Sequence, residues 1–329
     1  MSIETSLSIK PILAVDVGGT KLAVALVAQD GQILARNQEA TLQSGPQDGI
    51  AQIIRLLEQL LAGAGYTARD AAAIGIGIPA VLEPRTDLVI WGPNLSGWRN
   101  VALRPALEAH FGLPTFVEYD GHAAVLGEWW VGAGRGYHSL VDLIIGTGLG
   151  GGLILEDRLV RGMNRLAGAA GWFVLGAETG QGSDQERSLG FWEARTAGPG
   201  IARRAADLLA SGSYPGSLLE TCAADLTARD VFQAAQQGDP LGMAVVDEVS
   251  VLLGAGIANI VSLVNPEIII LGGSVGAHAG FLVPRITEVV NRWAQPISAR
   301  AIQIIPSKLA GEAGLLGAAY GALLRLKEN

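Results

Sequence analysis

Apolar positions along the chain keep two rhythms, one of strands and one of helices, and both recur in each half. PILAVDV (residues 11–17) is apolar apart from one aspartate and closes on GGTK, the pattern of a buried strand ending in a turn. LAVALVAQDGQILARNQEA then gives two runs about a D-G turn, which predicts a hairpin. Ile50, Ile53, Ile54, Leu57, Leu60 and Leu61 recur at helical spacing, so residues 48–62 are predicted to form an amphipathic helix. AAIGIGIP reads as a buried strand, VALRPALEAHFG as a helix and PTFVEYD as another strand.

The second half repeats the plan. LVDLIIGTGLGGGLILEDRLVRG is strand, glycine turn, strand, tight turn, strand, as in ILAVDVGGTKLAVALVAQDGQIL. The pattern occurs only twice and far apart, so it is an internal duplication of a three-strand-plus-helix unit and not a solenoid. Helices near 228–237 and 243–263, the strand EIIILGG, a helix near 279–294, the strand AIQIIPS and a closing helix AGLLGAAYGALLRL complete the pattern. The expectation is an α/β fold of two duplicated domains around a cleft. Residues 1–120 form the smaller domain, with 312–328 packing back on it, and 121–311 the larger. No linker rich in Pro, Ser or charge separates them.

Composition narrows the function classes. The 45 glycines among 329 residues suit many tight strand-to-helix turns. A net charge of −8 without a basic stripe argues against nucleic acid or an anionic membrane as partner. Cys222 is the single cysteine, which excludes a disulfide framework and a cysteine-rich zinc site. MSIETSLSIKP lacks the basic start and apolar run of a secretion signal, and VVDEVSVLLGAGIANIVSLV carries Asp247 and Glu248 and reads as a buried helix. A cytoplasmic protein is the expectation.

Glycines at strand ends let a backbone approach a phosphate and aim N–H groups at it. One such loop is often only a turn. Here DVGGT (Asp16–Thr20) and GTGLGG (Gly146–Gly151) sit at matching places in the duplicated units, and LGGSVG (Leu271–Gly276) follows a third strand. Neither of the first two is a Walker loop or a dinucleotide fingerprint. Two facing loops, with Asp16 to organise the water around Mg²⁺, would grip a nucleotide's phosphates, as phosphoryl transfer requires. Transfer to an alcohol also needs a carboxylate that accepts the hydroxyl proton. Asp120, at a strand end before a helix, is placed either to do this or to cap that helix. Its place at the hinge between the domains favours the first role.

Together these stretches resemble the ROK family of bacterial sugar kinases, repressors and related proteins. AVDVGGTK is similar to the family's first phosphate motif, GIPA to its GIPG turn, GPNLSGW to its sugar-contacting stretch, and VEYDGHAAVLGE to the segment with the catalytic aspartate. GTGLGGG, NPEIIILGGSV and AGLLGAAY resemble the second phosphate loop, the adenosine-side loop and the closing helix. The resemblance spans nearly the whole chain and implies the actin-like, ribonuclease-H-like ATPase fold. It implies Asp120 as general base and Asn94 as a hydrogen-bonding partner of sugar hydroxyls. Asp16, Gly18, Gly19, Thr20 and Lys21 match the first phosphate loop, Thr147, Gly148 and Gly150 the second, and Gly272 and Gly273 the loop beside adenosine. ATP and Mg²⁺ are the implied cofactors, a sugar the implied substrate and a homodimer the implied assembly. The first strand begins near Pro11, which leaves no room for the winged helix of the family's repressors.

The departures lie in the acceptor pocket. The family pattern AGEIGH falls on Ala167-Gly168-Ala169-Ala170-Gly171-Trp172, so its sugar-binding glutamate becomes Ala169 and its zinc-binding histidine becomes Trp172. The zinc cysteines, due between about 180 and 191, are absent, so no zinc is expected. Glu193 matches the glutamate that follows the last of them and is expected on the substrate side. Trp172 is expected to pack into the vacated space in preference to stacking on a sugar. His122, in place of a family asparagine, is expected on a helix surface in preference to the pocket. The functional expectation is an ATP-dependent sugar kinase with altered sugar selectivity. The alternatives are a non-catalytic sugar- or nucleotide-binding regulator, and an ATPase with another acceptor.

Overall fold

The computed structural model describes residues 10–176 and 183–328. Contacts divide the chain into two compact units. Unit 1 comprises residues 1–135, a return segment Leu159–Ala167, and 312–329; unit 2 comprises Gly136–Arg158 and Gly168–Gly311.

Unit 1 begins with β1 (Ile12–Val17), β2 (Lys21–Val27), β3 (Ile33–Ala40), α1 (Pro46–Ala64) and β4 (Ala73–Ile78). Short strands β5 (Val81–Leu82), β6 (Val89–Trp91) and β7 (Arg99–Val101) form a small sheet before α2 (Leu103–Phe111), β8 (Thr115–Tyr119) and α3 (Asp120–Val131). The main sheet runs β3-β2-β1-β4-β8, antiparallel at β1–β2–β3 and parallel at β1–β4–β8. All six residues of β4 are buried, as a parallel strand covered on both faces requires. β3 alternates between half-buried and exposed positions, as an edge strand does.

Unit 2 contains β9 (Leu140–Ile145), β10 (Leu149–Leu155), β11 (Arg158–Leu159, whose second residue belongs to the return segment), α4 (Asp184–Leu189), α5 (Phe191–Thr196), α6 (Gly198–Ala210), α7 (Ala228–Gln236) and α8 (Pro240–Val264). It ends with β12 (Ile268–Gly272), α9 (Gly273–Gly276), α10 (Val283–Trp293), α11 (Pro296–Ala301) and β13 (Gln303–Pro306). Its sheet, β11-β10-β9-β12-β13, repeats the order and sense of the first: β9–β10 antiparallel, then β9–β12 and β12–β13 parallel.

The last helix, α12 (Ala313–Glu328), returns to unit 1 and packs on α3, β4 and β1. Glycines make this close approach possible. A Cβ on Gly75 of β4 would lie 2.0 Å from the Ala318 carbonyl oxygen, and one on Gly317 only 1.5 Å from that of Ala123. In unit 2, α8 is long and apolar enough to cross a membrane by length and composition, but Leu241, Val245, Val249, Leu253, Ile257 and Val261 are core residues. Trp192 of α5 is fully buried against it; the indole N–H donates to the Leu252 carbonyl at 3.0 Å, and Gly256 leaves room for the ring.

The predicted helix over 279–294 divides into a 3₁₀ turn (Ala279–Leu282) and α10, with Pro284 in the first turn of the latter. α4, α5, α6 and α11 were not anticipated, nor were β5–β7, which are too short to show a period. Of the stretch 180–191, where zinc cysteines would fall, residues 180–182 lie outside the described residues, as do residues 1–9.

Candidate active site

In unit 1 the first glycine loop joins β1 to β2. Gly18 donates its N–H to the Lys21 carbonyl at 2.8 Å and folds the turn tightly. A Cβ on Gly18 would sit 2.8 Å from that same oxygen. A Cβ on Gly19 would meet the backbone oxygen and Cβ of Asn94 at 3.2 and 3.3 Å, so the loop lies directly against the asparagine. Asn94 itself is exposed, as is Thr20. Two residues that sequence reading missed hold this arrangement. Thr41 donates its hydroxyl to the Gly18 carbonyl at 2.7 Å. Gln43 donates to the Gly19 carbonyl at 2.6 Å and accepts the Ser96 N–H at 3.3 Å, which ties the glycine loop to the Asn94 loop. A glutamine in a polar loop carries no sequence signal for that task.

Asp16 and Asp120 approach each other electrostatically from different elements. Asp16 is the penultimate residue of β1, paired with Gly77, and its carboxylate lies against Gly314 in the first turn of α12, where a Cβ would come 2.8 Å from Oδ1. Burial pushes its pKa up to about 6, against the opposing charges of Lys21 and Arg36. Asp120 is the first residue of α3; Tyr119 holds the N-cap position, and Asp120 Oδ1 accepts the Gly121 N–H at 2.8 Å. Burial likewise raises Asp120 to about 6; the Gly121 hydrogen bond opposes the shift and the charge of Asp16 adds to it. Each carboxylate keeps some accessible surface but is closely surrounded by protein.

His122 is not on a helix surface. It is completely buried, with Nδ1 3.1 Å from Glu118 Oε1 and Nε2 2.9 Å from the Ala167 carbonyl oxygen. The helix face that carries it turns toward β8 and the return segment, and those neighbours supply partners that make burial tolerable.

In unit 2 the second glycine loop joins β9 to β10 as the first joins β1 to β2. Gly146 donates to the Gly148 carbonyl at 2.9 Å, and Gly198, at the start of α6, donates to the Gly146 carbonyl at 2.8 Å. Thr147 is exposed at the tip, and Gly150 lies in β10 opposite Ile144. Glu193 sits under this loop: Oε2 accepts the Leu149 N–H at 2.7 Å and would lie 2.8 Å from a Cβ on Gly148. Burial raises its pKa, and the Leu149 N–H counters the rise. Gly272 ends β12 close to the Asp142 carboxylate, where a Cβ would come 2.9 Å from Oδ1. Gly273 opens α9 at φ 76°, and a side chain there would strike the Ile145 carbonyl.

A cavity of about 730 Å³ opens within this unit between the second glycine loop, the start of α6, α7 and α9. Thr147, Pro199, Phe232, Gln233, Ser274 and His278 are among its lining residues. Its mixture of backbone N–H groups at one end and aromatic and aliphatic walls at the other suits a nucleotide: phosphates at the loop and helix start, an apolar base beyond. α7 was foreseen as a helix but not as a wall of this cavity.

Trp172 does not fill a vacated core site. It lies on a 3₁₀ turn (Ala170–Trp172) with 59% of its surface exposed, while the next residue, Phe173, turns inward and stacks on Trp192 at 5.7 Å. Only one of two adjacent aromatics can face the core of an extended exit, and Phe173 takes that place.

Two sheets of identical order and sense, each with a glycine turn between its first pair of strands, make this a duplicated α/β fold of the actin-like ATPase kind. The chain belongs to the ROK family, whose family model matches residues 12–324. It is 32% identical over 314 residues to the glucokinase of Thermotoga maritima, an alignment that covers 94% of this chain and 96% of that protein. Among solved structures, a ROK family glucokinase from Streptomyces griseus in complex with glucose and AMPPNP is 31% identical, with a TM-score of 0.77 over 94% of this chain and 98% of that one. The ROK hexokinase from Thermus thermophilus is 28% identical, with a TM-score of 0.79 over 97% and 100% of the two chains.

Proposed function

We propose that this protein is an ATP-dependent sugar kinase in which Asp120 is the general base. The observation that carries the reading is the state of Asp120: a carboxylate at the start of α3, raised to about 6 by burial and by the neighbouring Asp16, in the same unit as a tight glycine loop and Asn94. A base with that pKa is ionised at neutral pH and still holds a proton well enough to withdraw one from an alcohol in the transition state. The likeness to a glucokinase that binds glucose and AMPPNP supports the choice of sugar and nucleotide as substrates.

Asn94 orients the sugar by hydrogen bonds to its hydroxyls, beside Gly19. Asp120 accepts the proton of the attacking hydroxyl as that oxygen bonds to the γ-phosphorus; the bond from phosphorus to the bridging oxygen breaks, and ADP departs. The proton rests on Asp120 until it is lost to solvent. The N–H groups of Gly18–Lys21 and Gly146–Gly148, with the ammonium of Lys21, are suited to phosphate oxygens. Asp16 fits a place beside the water around a divalent cation, because a carboxylate raised to about 6 by burial is relieved by a nearby positive charge. When bound with the nucleotide, Mg²⁺ would supply charge neutralisation at the phosphates. Glu193 braces the second loop through Leu149 and Gly148, and through that loop it serves the nucleotide side.

Sugar selectivity is the altered part. Ala169 offers no carboxylate, so a substrate hydroxyl that the family's glutamate would bind is not held there. The test is a phosphoryl-transfer screen with ATP and Mg²⁺ against hexoses, N-acetylated amino sugars and polyols, with Asp120→Asn alongside. Transfer to an acceptor that falls at least about a hundredfold in the variant supports the reading. Ligand binding without transfer across the panel would replace it with the regulator, the alternative that Ala169 and the absent zinc cysteines motivate.

A further inference from the structure

The end of the unit 2 cavity away from the second glycine loop carries a hydrogen-bonding pattern that the reaction as described does not use. α9 leads toward it from the loop: a Cβ on Gly146 would meet Ser274 Oγ at 3.5 Å, so the start of α9 adjoins the phosphate end. His278 lies four residues further on, roughly 6 Å along a helical path, which is about the reach of a ribose. Its backbone N–H donates to the Val275 carbonyl at 3.2 Å, as in a 3₁₀ turn. The Ser274 carbonyl, one residue earlier, faces the ring instead, 3.0 Å from Nδ1. A carbonyl oxygen only accepts, so Nδ1 carries the proton of this contact. In the neutral ring the second nitrogen, Nε2, is then a lone-pair acceptor, on the side turned away from Ser274.

The neighbouring walls fit a purine and leave the choice of purine to this histidine. Phe281, three residues beyond His278, stands edge-to-face with Phe232 of α7, ring centres 5.3 Å apart and planes at 83°. Both line the cavity with His278 and suit a flat heteroaromatic ring. Gln233 and Gln236 line it from one side of α7. A carboxamide both donates and accepts, so these two adapt to either edge of any purine. No Asp or Glu is among the described residues that line the cavity, so the N1–H and 2-amino donors of guanine would find no carboxylate there.

We infer that His278 selects the base of the phosphoryl donor: its Nε2 accepts from the 6-amino group of adenine and turns away a purine with an oxygen at that position. The inference rests on the reading of this cavity as the nucleotide site. An amino group presents an N–H to the lone pair, whereas a 6-oxo group sets two acceptors face to face, and in a partly desolvated site that contact costs more than a missing bond.

The experiment measures binding of diphosphates by calorimetry at pH 8, where imidazole is neutral, and so needs no sugar. ADP is compared with purine riboside diphosphate, which only lacks the amino group, and with inosine diphosphate, which has the 6-oxo group and a proton on N1. For wild type the expected order is ADP tightest, purine riboside diphosphate at least about threefold weaker and inosine diphosphate at least about tenfold weaker. His278→Phe keeps a ring and removes the lone pair, and should bring all three to within about twofold of one another. Equal binding of the three by wild type, no binding of any of them, or a preference that survives in His278→Phe would overturn the inference. The wild-type series decides the matter even if the variant fails to fold, because ADP and purine riboside diphosphate differ only in the group that Nε2 is said to hold. If the preference is found but no acceptor is phosphorylated, the kinase reading has failed and the base assignment stands. If ATP and inosine triphosphate serve equally in transfer to a sugar, the kinase reading stands and the base assignment has failed.

Discussion

Asp120→Asn should abolish transfer and at the same time make the folded protein more stable at neutral pH. The substitution removes the charge and leaves an oxygen that can still accept the Gly121 N–H. In the folded chain Asp120 has its pKa raised from 3.8 to about 6, so at pH 7.5 folding holds an anion that would be more easily ionised in the unfolded chain. For a carboxylate raised in this sense the cost is absent below the unfolded value, grows between about 4 and 6, and is complete above the folded value. Linkage between those two pKa values gives a cost of roughly 3 kcal/mol at pH 7.5 and about half that at pH 5. Relief of repulsion on Asp16 acts in the same direction. For a domain of this size the gain corresponds to a rise of roughly 5–10 °C in unfolding temperature. Thermal unfolding followed by circular dichroism at pH 7.5 and pH 5, without ligands, measures it. A variant no more stable than wild type at pH 7.5, or with the same gain at both pH values, would refute the reasoning, because it would mean that Asp120 is not desolvated in the way its surroundings imply.

The same pKa sets the acid limb of catalysis: kcat/KM in wild type should fall about tenfold per pH unit below about 6, and a limb near 4 would show that another group supplies the base. Trp192→Ala should lower stability by roughly 3–5 kcal/mol in urea unfolding, because it opens a cavity beside Gly256 and Phe173 and removes the donor to the Leu252 carbonyl. A loss under about 1 kcal/mol would mean that α5 is not fixed in the core of its unit.

Most of the long strands were legible because buried parallel strands announce themselves as unbroken apolar runs, and the duplication because the glycine turns recur at equivalent junctions, Val17 to Leu22 and Ile145 to Leu149. Asp16, Asp120 and the loop glycines stood out through residue type alone. The environment of His122 did not, since Ala167, which faces its Nε2, and Arg161, which pairs with the adjoining Glu118, come from a segment some forty residues away that no local period connects to it. Trp172 and Phe173 are interchangeable by hydropathy, and only the packing of Trp192 decides which one turns inward. α6 escaped notice because GPGIARRAADLLA opens on glycines and proline, which read as loop until the helix start is seen donating to Gly146.

The glycine seam between α3 and α12 has a consequence for synthesis. α12 emerges from the ribosome roughly 180 residues after α3, an interval on the order of 10–40 s at ordinary elongation rates. Throughout that interval the nascent β1, β4 and α3 present an uncovered groove of small residues, while every residue of the second unit has already been made. The unit translated first is thus the one completed last, and the nascent chain is most open to misassembly along the surface where Gly75 and Gly127 await their partner.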